Sequence, residues 1–300
     1  MTTLHRSALT GLYPAFPTPF TAGGTVDVPR IHSLVDGIIA GGASGLVPVG
    51  GTGEYTAMSA ADRLLVVKAT VEAARGRVPV VAGVLSPGYA EAVQAGLDFV
   101  GVGAAGILLV TPFYVTPTEA GLRAYFEKYR KAVGVPLLLY DIPARTRYTT
   151  PVATIAAMGR DDGTIIGMKA CSTDVPHVAR TVATAGKHIA VMSGDDTLYV
   201  QHALLGCTGG ILTSSSIIPG IWHEIHDAII SGELSSALTR HATLMPFLDA
   251  LFAETNPGPI KAAFSMMGQS IGDVQLPLVS ASEATRTRLR ETMSALGLLP

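Results

Sequence analysis

Short apolar runs alternate with amphipathic segments along most of the 300-residue chain. Eight of these runs are almost uniformly apolar, which is typical of strands that are buried on both faces of a parallel sheet. The runs are Leu12–Phe16, Gly45–Val49, Pro79–Ala82, Ile107–Val110, Pro136–Tyr140, Thr164–Met168, His188–Met192 and Gly209–Leu212. The pattern therefore predicts eight parallel strands.

The segments between the runs have the spacing of helices. Apolar residues recur at Leu122, Phe126 and Tyr129, one helical turn apart. Eight strands that alternate with helices close naturally into a barrel, and after about Ser231 the apolar runs stop and only helical segments follow. We therefore predict an α/β fold, a (β/α)8 TIM barrel over residues 1–231 with a C-terminal helical extension over residues 232–300.

Composition and charge exclude several classes of partner. The net charge is −2, and the chain has no basic block and no long apolar span without polar breaks. We therefore expect neither nucleic acid nor a membrane as a partner. The chain has only 2 cysteines, and its polar segment Met1–Thr10 has no apolar core like that of a signal peptide. Both features indicate a cytoplasmic protein.

Lys169 directly follows the apolar run that ends at Met168. An amine becomes a nucleophile only after it loses its proton, and we expect burial against the strands to lower its pKa. Such a lysine is suited to Schiff-base chemistry on a carbonyl substrate. The alternative is a structural lysine that extends from the strand end towards solvent.

Other polar residues follow other predicted strands, where the active residues of a barrel are found. The turn Gly50–Glu54 offers backbone N–H groups and one hydroxyl to an anion such as a carboxylate, although turns of this kind are also purely structural. Tyr114 follows the fourth strand. Tyr140, Arg145 and Arg147 follow the fifth, where arginine suits carboxylate recognition. Together these residues predict a site for a keto acid.

Four further motifs indicate no additional chemistry. Ser193–Asp196 is best interpreted as a turn whose aspartate caps the next helix. Gly101–Gly106 matches a dinucleotide fingerprint but precedes a strand instead of following one. Gly268–Gly272 lies between helical segments, where a nucleophile elbow is not expected. His223–His226 is one residue short of a zinc motif, so we expect no metal.

The strand-end motifs together resemble those of the dihydrodipicolinate synthase / N-acetylneuraminate lyase family of class I, pyruvate-dependent barrel enzymes. The similar segments occur in the family's order and span nearly the whole chain. They are Gly50–Glu54, Thr111–Tyr114, Tyr140–Thr146, Gly167–Lys169, Ser193–Asp196 and Asn256–Lys261.

The resemblance implies roles for the residues of the keto-acid site. Lys169 corresponds to the Schiff-base lysine and Tyr140 to the proton carrier beside it. Gly51, Thr52 and Gly53 correspond to the turn that holds the pyruvate carboxylate. No cofactor is implied, because the substrate is held as a covalent imine on Lys169.

The resemblance also implies contacts outside the keto-acid site. Tyr114 corresponds to a tyrosine that enters the site of a neighbouring subunit, so the expected assembly is a dimer or a homotetramer. Arg145 corresponds to the residue that binds the carboxylate of the aldehyde substrate, and Arg147 adds positive charge nearby. Ile211 corresponds to a residue whose backbone carbonyl lines the site.

The chain departs from the family pattern at several positions. Gly51 replaces a hydroxyl residue that links the two tyrosines in a proton relay, and Arg147 replaces a glycine. Ala170–Thr173 replaces the usual Glu-Ala-Thr-Gly, and Phe113 replaces a tyrosine that is common in lysine-inhibited members. Feedback inhibition by lysine is therefore doubtful.

We expect a class I lyase that condenses pyruvate with an aldehyde such as aspartate semialdehyde. Gly51 keeps two alternatives open, a 2-keto-3-deoxy sugar-acid aldolase or dehydratase and a paralogue that binds a keto acid without catalysis. A metal-dependent aldolase using Asp195 and Asp196 is a weaker alternative, because no cluster of histidines and carboxylates accompanies them.

Overall fold

The computed structural model of the protein describes residues 4–161 and 163–299, so residues 1–3 of the predicted N-terminal segment lie outside it. The strands are β1 Gly11–Leu12, β2 Val81–Val84, β3 Gly106–Val110, β4 Leu137–Asp141, β5 Ile165–Ala170, β6 Ala190–Ser193 and β7 Gly209–Gly210. The helices are α1 Val28–Ala40, α2 Ala60–Ala74, α3 Tyr89–Gly101, α4 Glu119–Val133, α5 Pro143–Thr146, α6 Val152–Arg160, α7 Val175–Ala185, α8 Tyr199–Leu204, α9 Pro219–Ile230, α10 Leu234–Leu251, α11 Gly258–Met266 and α12 Glu283–Ala295.

The strands form one curled parallel sheet in the order β1-β7-β6-β5-β4-β3-β2. A helix lies between each pair of strands that are consecutive from β2 to β7, as parallel pairing requires. The sequence prediction of alternating buried strands and helices is therefore confirmed for these segments.

The apolar run Gly45–Val49 forms no regular strand, which differs from the prediction. Its residues Leu46 and Val47 instead make isolated parallel bridges to Val80 on one side and Ala15 on the other. Pro48 in this run has no N–H to donate to a neighbouring strand, which limits regular pairing. The run nevertheless connects the two edges of the curled sheet.

Side chains leave the sheet in two layers, as the alternation of a strand requires. The inner layer fills the space that the sheet curls around, and it includes Leu108, Leu138 and Met192. The outer layer packs against the helices, and it includes Leu109 and Leu139. Functional side chains of the strands can therefore meet only on the inner side.

The seam between β1 and β7 is made of close-packed backbone. Gly11 pairs with Gly209. A Cβ atom on Gly209 would overlap the Gly11 carbonyl oxygen and lie 2.7 Å from the Gly11 nitrogen. Glycine at position 209 is thus required by the approach of the two strands.

Within the described residues four helices, α9 to α12, follow the last strand, and the last three of them form the C-terminal extension. The predicted boundary at residue 231 falls in the turn between α9 and α10. Phe247 of α10, Ile260 of α11 and Leu289 of α12 are fully buried in the same apolar core as the outer layer of the sheet. The C-terminal helices are therefore packed onto the sheet rather than standing apart from it.

Polar side chains cap the starts of two helices. Asp27 accepts a hydrogen bond from the backbone N–H of Arg30 at the start of α1, and Ser59 accepts one from Asp62 at the start of α2. None of the helices within residues 4–161 and 163–299 has both the length and the apolarity needed to cross a bilayer.

The seam generates a stability prediction. Gly209→Ala should lower the free energy of unfolding by about 3 kcal/mol, because the new methyl group overlaps backbone that cannot move aside without breaking the pairing. Urea unfolding followed by circular dichroism measures the change.

Gly37→Ala is the matched control for the seam. Gly37 lies on the exposed face of α1, and a Cβ atom there meets nothing within 4 Å. We expect this variant to be stabilised by about 0.5–1 kcal/mol. Equal stability of the two variants would contradict a close-packed seam.

Candidate active site

Strand register brings Tyr140 and Lys169 side by side on the inner side of the sheet. Tyr140 of β4 pairs with Lys169 of β5, and Lys169 pairs with Met192 of β6. Both polar side chains are buried, with 5% of Tyr140 and 6% of Lys169 exposed. The Lys169 Nζ lies 4.8 Å from the centre of the Tyr140 ring. The amine and the phenol are thus held together away from bulk water.

Gly194 gives Lys169 the room it occupies. A Cβ atom on Gly194 would lie 2.7 Å from Lys169 Cγ and 2.8 Å from Lys169 Cε, and it would overlap Cys171 Sγ. The Cys171 thiol donates a hydrogen bond of 3.3 Å to the Gly194 carbonyl. Glycine in the turn after β6 is therefore needed for the lysine to reach this position.

Burial and nearby acidic groups act on the Lys169 amine in opposite directions. Burial is the largest influence and lowers the pKa, whereas the negative charges that Tyr140, Cys171 and Asp196 carry when ionised raise it, and the net pKa is raised. The expectation that burial gives a lowered pKa is therefore wrong in its net direction. The reason is that the amine lies among groups that become anionic rather than in wholly apolar surroundings.

Tyr140 is the matching half of a coupled pair. Burial raises the pKa of its phenol, and the positive charge of Lys169 lowers it. Because the charge of each group shifts the pKa of the other, the two titrations depend on each other. A proton can therefore pass between the phenol and the amine without creating an isolated buried charge.

The Gly50–Glu54 turn lies next to this pair. A Cβ atom on Gly51 would be 3.8 Å from the Tyr140 hydroxyl oxygen, an ordinary van der Waals distance. The Thr52 hydroxyl lies 3.0 Å from that of Thr213 and accepts a 2.8 Å hydrogen bond from the Asn256 side-chain amide. The Gly53 carbonyl accepts a hydrogen bond from Thr18. The predicted carboxylate-binding turn and the predicted amine and phenol therefore lie in one region.

Asp195 and Asp196 make structural hydrogen bonds. Asp195 accepts from the backbone N–H groups of Thr197 and Leu198. The prediction of an aspartate cap on the next helix is wrong, because α8 begins at Tyr199 and its N-cap residue is Leu198, with no side-chain cap. Asp196 accepts from the backbone N–H groups of Thr213 and Ser214, and burial raises its pKa. These hydrogen bonds from Thr213 and Ser214 hold the chain after β7 close to the turn that follows β6.

A cavity of about 220 Å³ opens above Tyr140. Gly51, Phe113 and Arg145 are among its lining residues, so a cation and apolar side chains face the same space as the phenol. A space of this size can accommodate a small organic acid beside Tyr140. Lys169, Thr52 and Gly53 are not among the residues that line it.

Other predicted site residues lie outside the lining of this cavity. Arg147 is exposed in the left-handed region with φ 55°, and the Tyr114 side chain is 99% exposed with φ 72°. Ile211 is fully buried and donates its N–H to the Ser193 carbonyl. Within the described part of a single chain, the structure thus joins Arg145 to the pair but not Arg147 or Tyr114.

Sequence reasoning missed residues from the C-terminal extension. Asn256 and Leu278 line the cavity, and Lys261 is a second buried lysine. The segment Asn256–Lys261 is one of those that resemble the family, but the sequence analysis assigns no role to its residues. The polar residues at its two ends, Asn256 and Lys261, were the available signal, but a contact with a turn 204 positions away leaves no periodic pattern.

The arrangement can form and stabilise an imine. It combines a buried amine, a phenol that can exchange a proton with it, and a turn with hydroxyl and N–H groups beside a cavity that contains an arginine. These are the elements that nucleophilic catalysis on a keto acid needs.

Comparison with known proteins gives a consistent assignment. The pattern of the dihydrodipicolinate synthetase family matches residues 8–296. The chain is 37% identical over 294 residues to the 4-hydroxy-tetrahydrodipicolinate synthase of Sorangium cellulosum, covering 98% of both chains.

Solved structures are similar over the same length. One is the chloride-inhibited dihydrodipicolinate synthase of Acinetobacter baumannii complexed with pyruvate, with a TM-score of 0.93, 31% identity and coverage of 97% of this chain and 100% of that one. Another is a monomeric dihydrodipicolinate synthase variant, with a TM-score of 0.94, 31% identity and coverage of 98% of both chains.

The coupled pair generates a prediction about Lys169. Tyr140→Phe should lower the pKa of the Lys169 amine, because it removes an anionic neighbour that raises this pKa and leaves the effect of burial. Acetic anhydride labelling across pH, with mass spectrometry of the Lys169 peptide, measures the titration.

Tyr129→Phe is the control for that titration. Tyr129 is a buried tyrosine of α4 in the outer layer, and its loss should leave the Lys169 titration unchanged. An unchanged Lys169 pKa in Tyr140→Phe would refute the coupling.

Proposed function

Because the chain belongs to the dihydrodipicolinate synthetase family, we propose that it is a class I lyase that condenses pyruvate with an aldehyde through an imine on Lys169. The observation that carries this proposal is the buried Tyr140–Lys169 pair beneath the Gly50–Glu54 turn. The substrate itself becomes the electron sink once it is an imine, so the reaction needs no cofactor.

Lys169 is the proposed nucleophile. Its neutral amine attacks the C2 carbonyl of pyruvate, a C–N bond forms, and the carbonyl oxygen takes a proton from the Tyr140 phenol. Loss of water gives the imine, and loss of a C3 proton gives the enamine. The enamine carbon then attacks the aldehyde, and hydrolysis of the product imine restores the amine. Tyr140 suits the proton steps because its phenol lies beside Lys169, whose positive charge lowers the pKa of the phenol against the effect of burial.

The turn is the proposed carboxylate site. Gly51, Thr52 and Gly53 supply backbone N–H groups and a hydroxyl close to the Tyr140 hydroxyl. The Thr52 hydroxyl accepts from Asn256, so its own proton is available to an anion or to Thr213. Fixed donors of this kind bind a carboxylate without reorganisation.

Arg145 is the proposed site for an acidic group on the second substrate. It lines the same cavity as Tyr140 and Gly51. The matched relative's name, 4-hydroxy-tetrahydrodipicolinate synthase, makes aspartate semialdehyde the first aldehyde to test. Arg147 lies outside the lining and is proposed only to add positive charge nearby.

Gly51 favours a second candidate, a 2-keto-3-deoxy sugar acid. The space beside the Tyr140 hydroxyl is open at this position, since a Cβ atom would make only one contact, at 3.8 Å. A substrate hydroxyl could occupy this space and complete the proton path. In this alternative the enzyme is an aldolase or dehydratase with the same imine chemistry.

We also propose the complete architecture in which this chemistry takes place. The Leu46–Val47 bridges support an eighth strand position that closes a (β/α)8 barrel over residues 1–231, with residues 232–300 as its extension. The free thiols of Cys171 and Cys207 support a cytoplasmic location.

Self-association is proposed from Tyr114. Its side chain is exposed beside Val115, which is 71% exposed, so the pair offers an apolar contact to a second copy. An inserted Tyr114 would supply a second phenol to the neighbouring site, and a dimer would then be the minimum functional unit.

Imine formation is tested by trapping. Incubation with pyruvate and borohydride should attach a reduced pyruvyl group to Lys169, located by peptide mass spectrometry. Lys169→Ala should lose the label and all turnover while it remains folded. Lys187→Ala, at an exposed turn, should keep both. Labelling of the folded Lys169→Ala variant to the wild-type level would rule out this mechanism.

The second substrate is tested through Arg145. Arg145→Gln should raise the KM for aspartate semialdehyde roughly 10-fold to 100-fold, the loss expected for a charged hydrogen bond, while the KM for pyruvate stays constant. Arg147→Gln serves as the comparison and should change the KM less. Turnover of sugar acids, with none of aspartate semialdehyde at saturation, would instead select the second candidate.

A further inference from the structure

We infer that the ion pair between Glu54 and Lys261 positions the carboxylate-binding turn, so that both are positioning residues for keto-acid binding. The inference rests on the proposed function, because it concerns the same turn. Glu54 is one of the residues that line the cavity, whereas Lys261 is not, so the ion pair gives helix α11 a role in the site through Glu54.

Glu54 is held in place entirely within the protein. Its side chain has no exposed surface, and its Oε1 lies 2.7 Å from Lys261 Nζ. Its Oε2 accepts a 2.7 Å hydrogen bond from the backbone N–H of Gln275. Oε1 has no other partner among the described residues. The charge on this oxygen is therefore balanced by Lys261 alone.

Lys261 is equally enclosed. Only 4% of its side chain is exposed, and its Nζ donates a 2.9 Å hydrogen bond to the Asp273 carbonyl. The same Nζ lies 4.4 Å from the centre of the Phe20 ring. Burial lowers the pKa of this amine, and the negative charge of Glu54 opposes that effect. The pair thus connects α11 to the turn through a charge contact that solvent does not screen.

A second contact from the same segment reaches the same turn. Asn256, two residues before α11, donates its side-chain amide to the Thr52 hydroxyl over 2.8 Å. The short segment from Asn256 to Lys261 therefore contacts both the middle and the end of the turn.

The turn needs such external support, because its own conformation is strained. Val49 before it and Glu54 at its end have left-handed φ values of 50° and 61°, which are unusual for residues other than glycine. The hydrogen bonds inside the turn are long, 3.2 Å from Glu54 N to Gly51 O and 3.3 Å from Tyr55 N to Gly50 O. Strained backbone persists where its surroundings determine it, and Lys261 and Asn256 are those surroundings.

The inference is tested with Glu54→Gln, which keeps the side-chain shape and an acceptor for Gln275 but loses the charge. The pyruvate concentration that gives half-maximal borohydride trapping on Lys169 should rise about tenfold, as expected for the loss of one hydrogen bond to the carboxylate. The trapping rate at saturating pyruvate should change less than the half-saturation concentration does, because Lys169 and Tyr140 are untouched.

A double variant separates positioning from a structural role. Glu54→Gln combined with Lys261→Met leaves neither charge unpaired, so its Tm should recover towards that of the wild type. Its half-saturation concentration should stay raised, because the turn has lost its attachment to α11. If Glu54→Gln alone does not fold, the double variant gives the same comparison. If both the Tm and the half-saturation concentration returned to wild-type values in the double variant, the inference would be overturned.

Glu224→Gln is the matched control. It removes the ion pair with Arg240 between α9 and α10, which lies outside the turn and the cavity lining. Its half-saturation concentration should equal that of the wild type. Absence of trapping in the wild type would refute the proposed function, whereas wild-type trapping with unchanged half-saturation in Glu54→Gln would refute only the positioning role.

Discussion

The burial of an amine directly beside a phenol is the constraint on which the rest of the site depends. Two such groups can share the inner side of a sheet only if the strands that carry them are neighbours in register, as β4 and β5 are. The lysine then needs space, which Gly194 provides, and a polar group beside the amine, which the Tyr140 ring and phenol provide. The register of β4 and β5, the glycine in the turn after β6 and the linked titration all concern this one pair.

The fold could be predicted from the sequence because parallel strands are buried on both faces and therefore appear as continuous apolar runs. This argument located β3 and β4 within two residues. It failed at Gly45–Val49, where Pro48 and the left-handed Val49 interrupt regular pairing although the segment remains buried. An apolar run predicts that a segment is buried, but it predicts the hydrogen bonds of a regular strand only indirectly.

The site could be predicted in part, for the same physical reason. Tyr140 and Lys169 lie near the carboxyl ends of β4 and β5, Arg145 follows β4, and the Gly50–Glu54 turn follows the apolar run Gly45–Val49. A parallel sheet gathers such positions at the carboxyl end of its strands. Asn256 and Lys261 could not be found in this way, because they contact the turn from the C-terminal extension, far along the chain. The direction in which the Lys169 pKa shifts also could not be predicted from the sequence, since it depends on which groups surround the amine.

The seam between β1 and β7 has a consequence for how the protein folds. The Thr208 hydroxyl donates to the Leu9 carbonyl across 199 residues of chain, and Gly11 pairs with Gly209 beside it. These contacts cannot form until nearly the whole sheet has been synthesised. During synthesis β1 is therefore present long before its partner β7. Such long-range closure makes folding slow, and it leaves an open sheet edge for chaperones to protect.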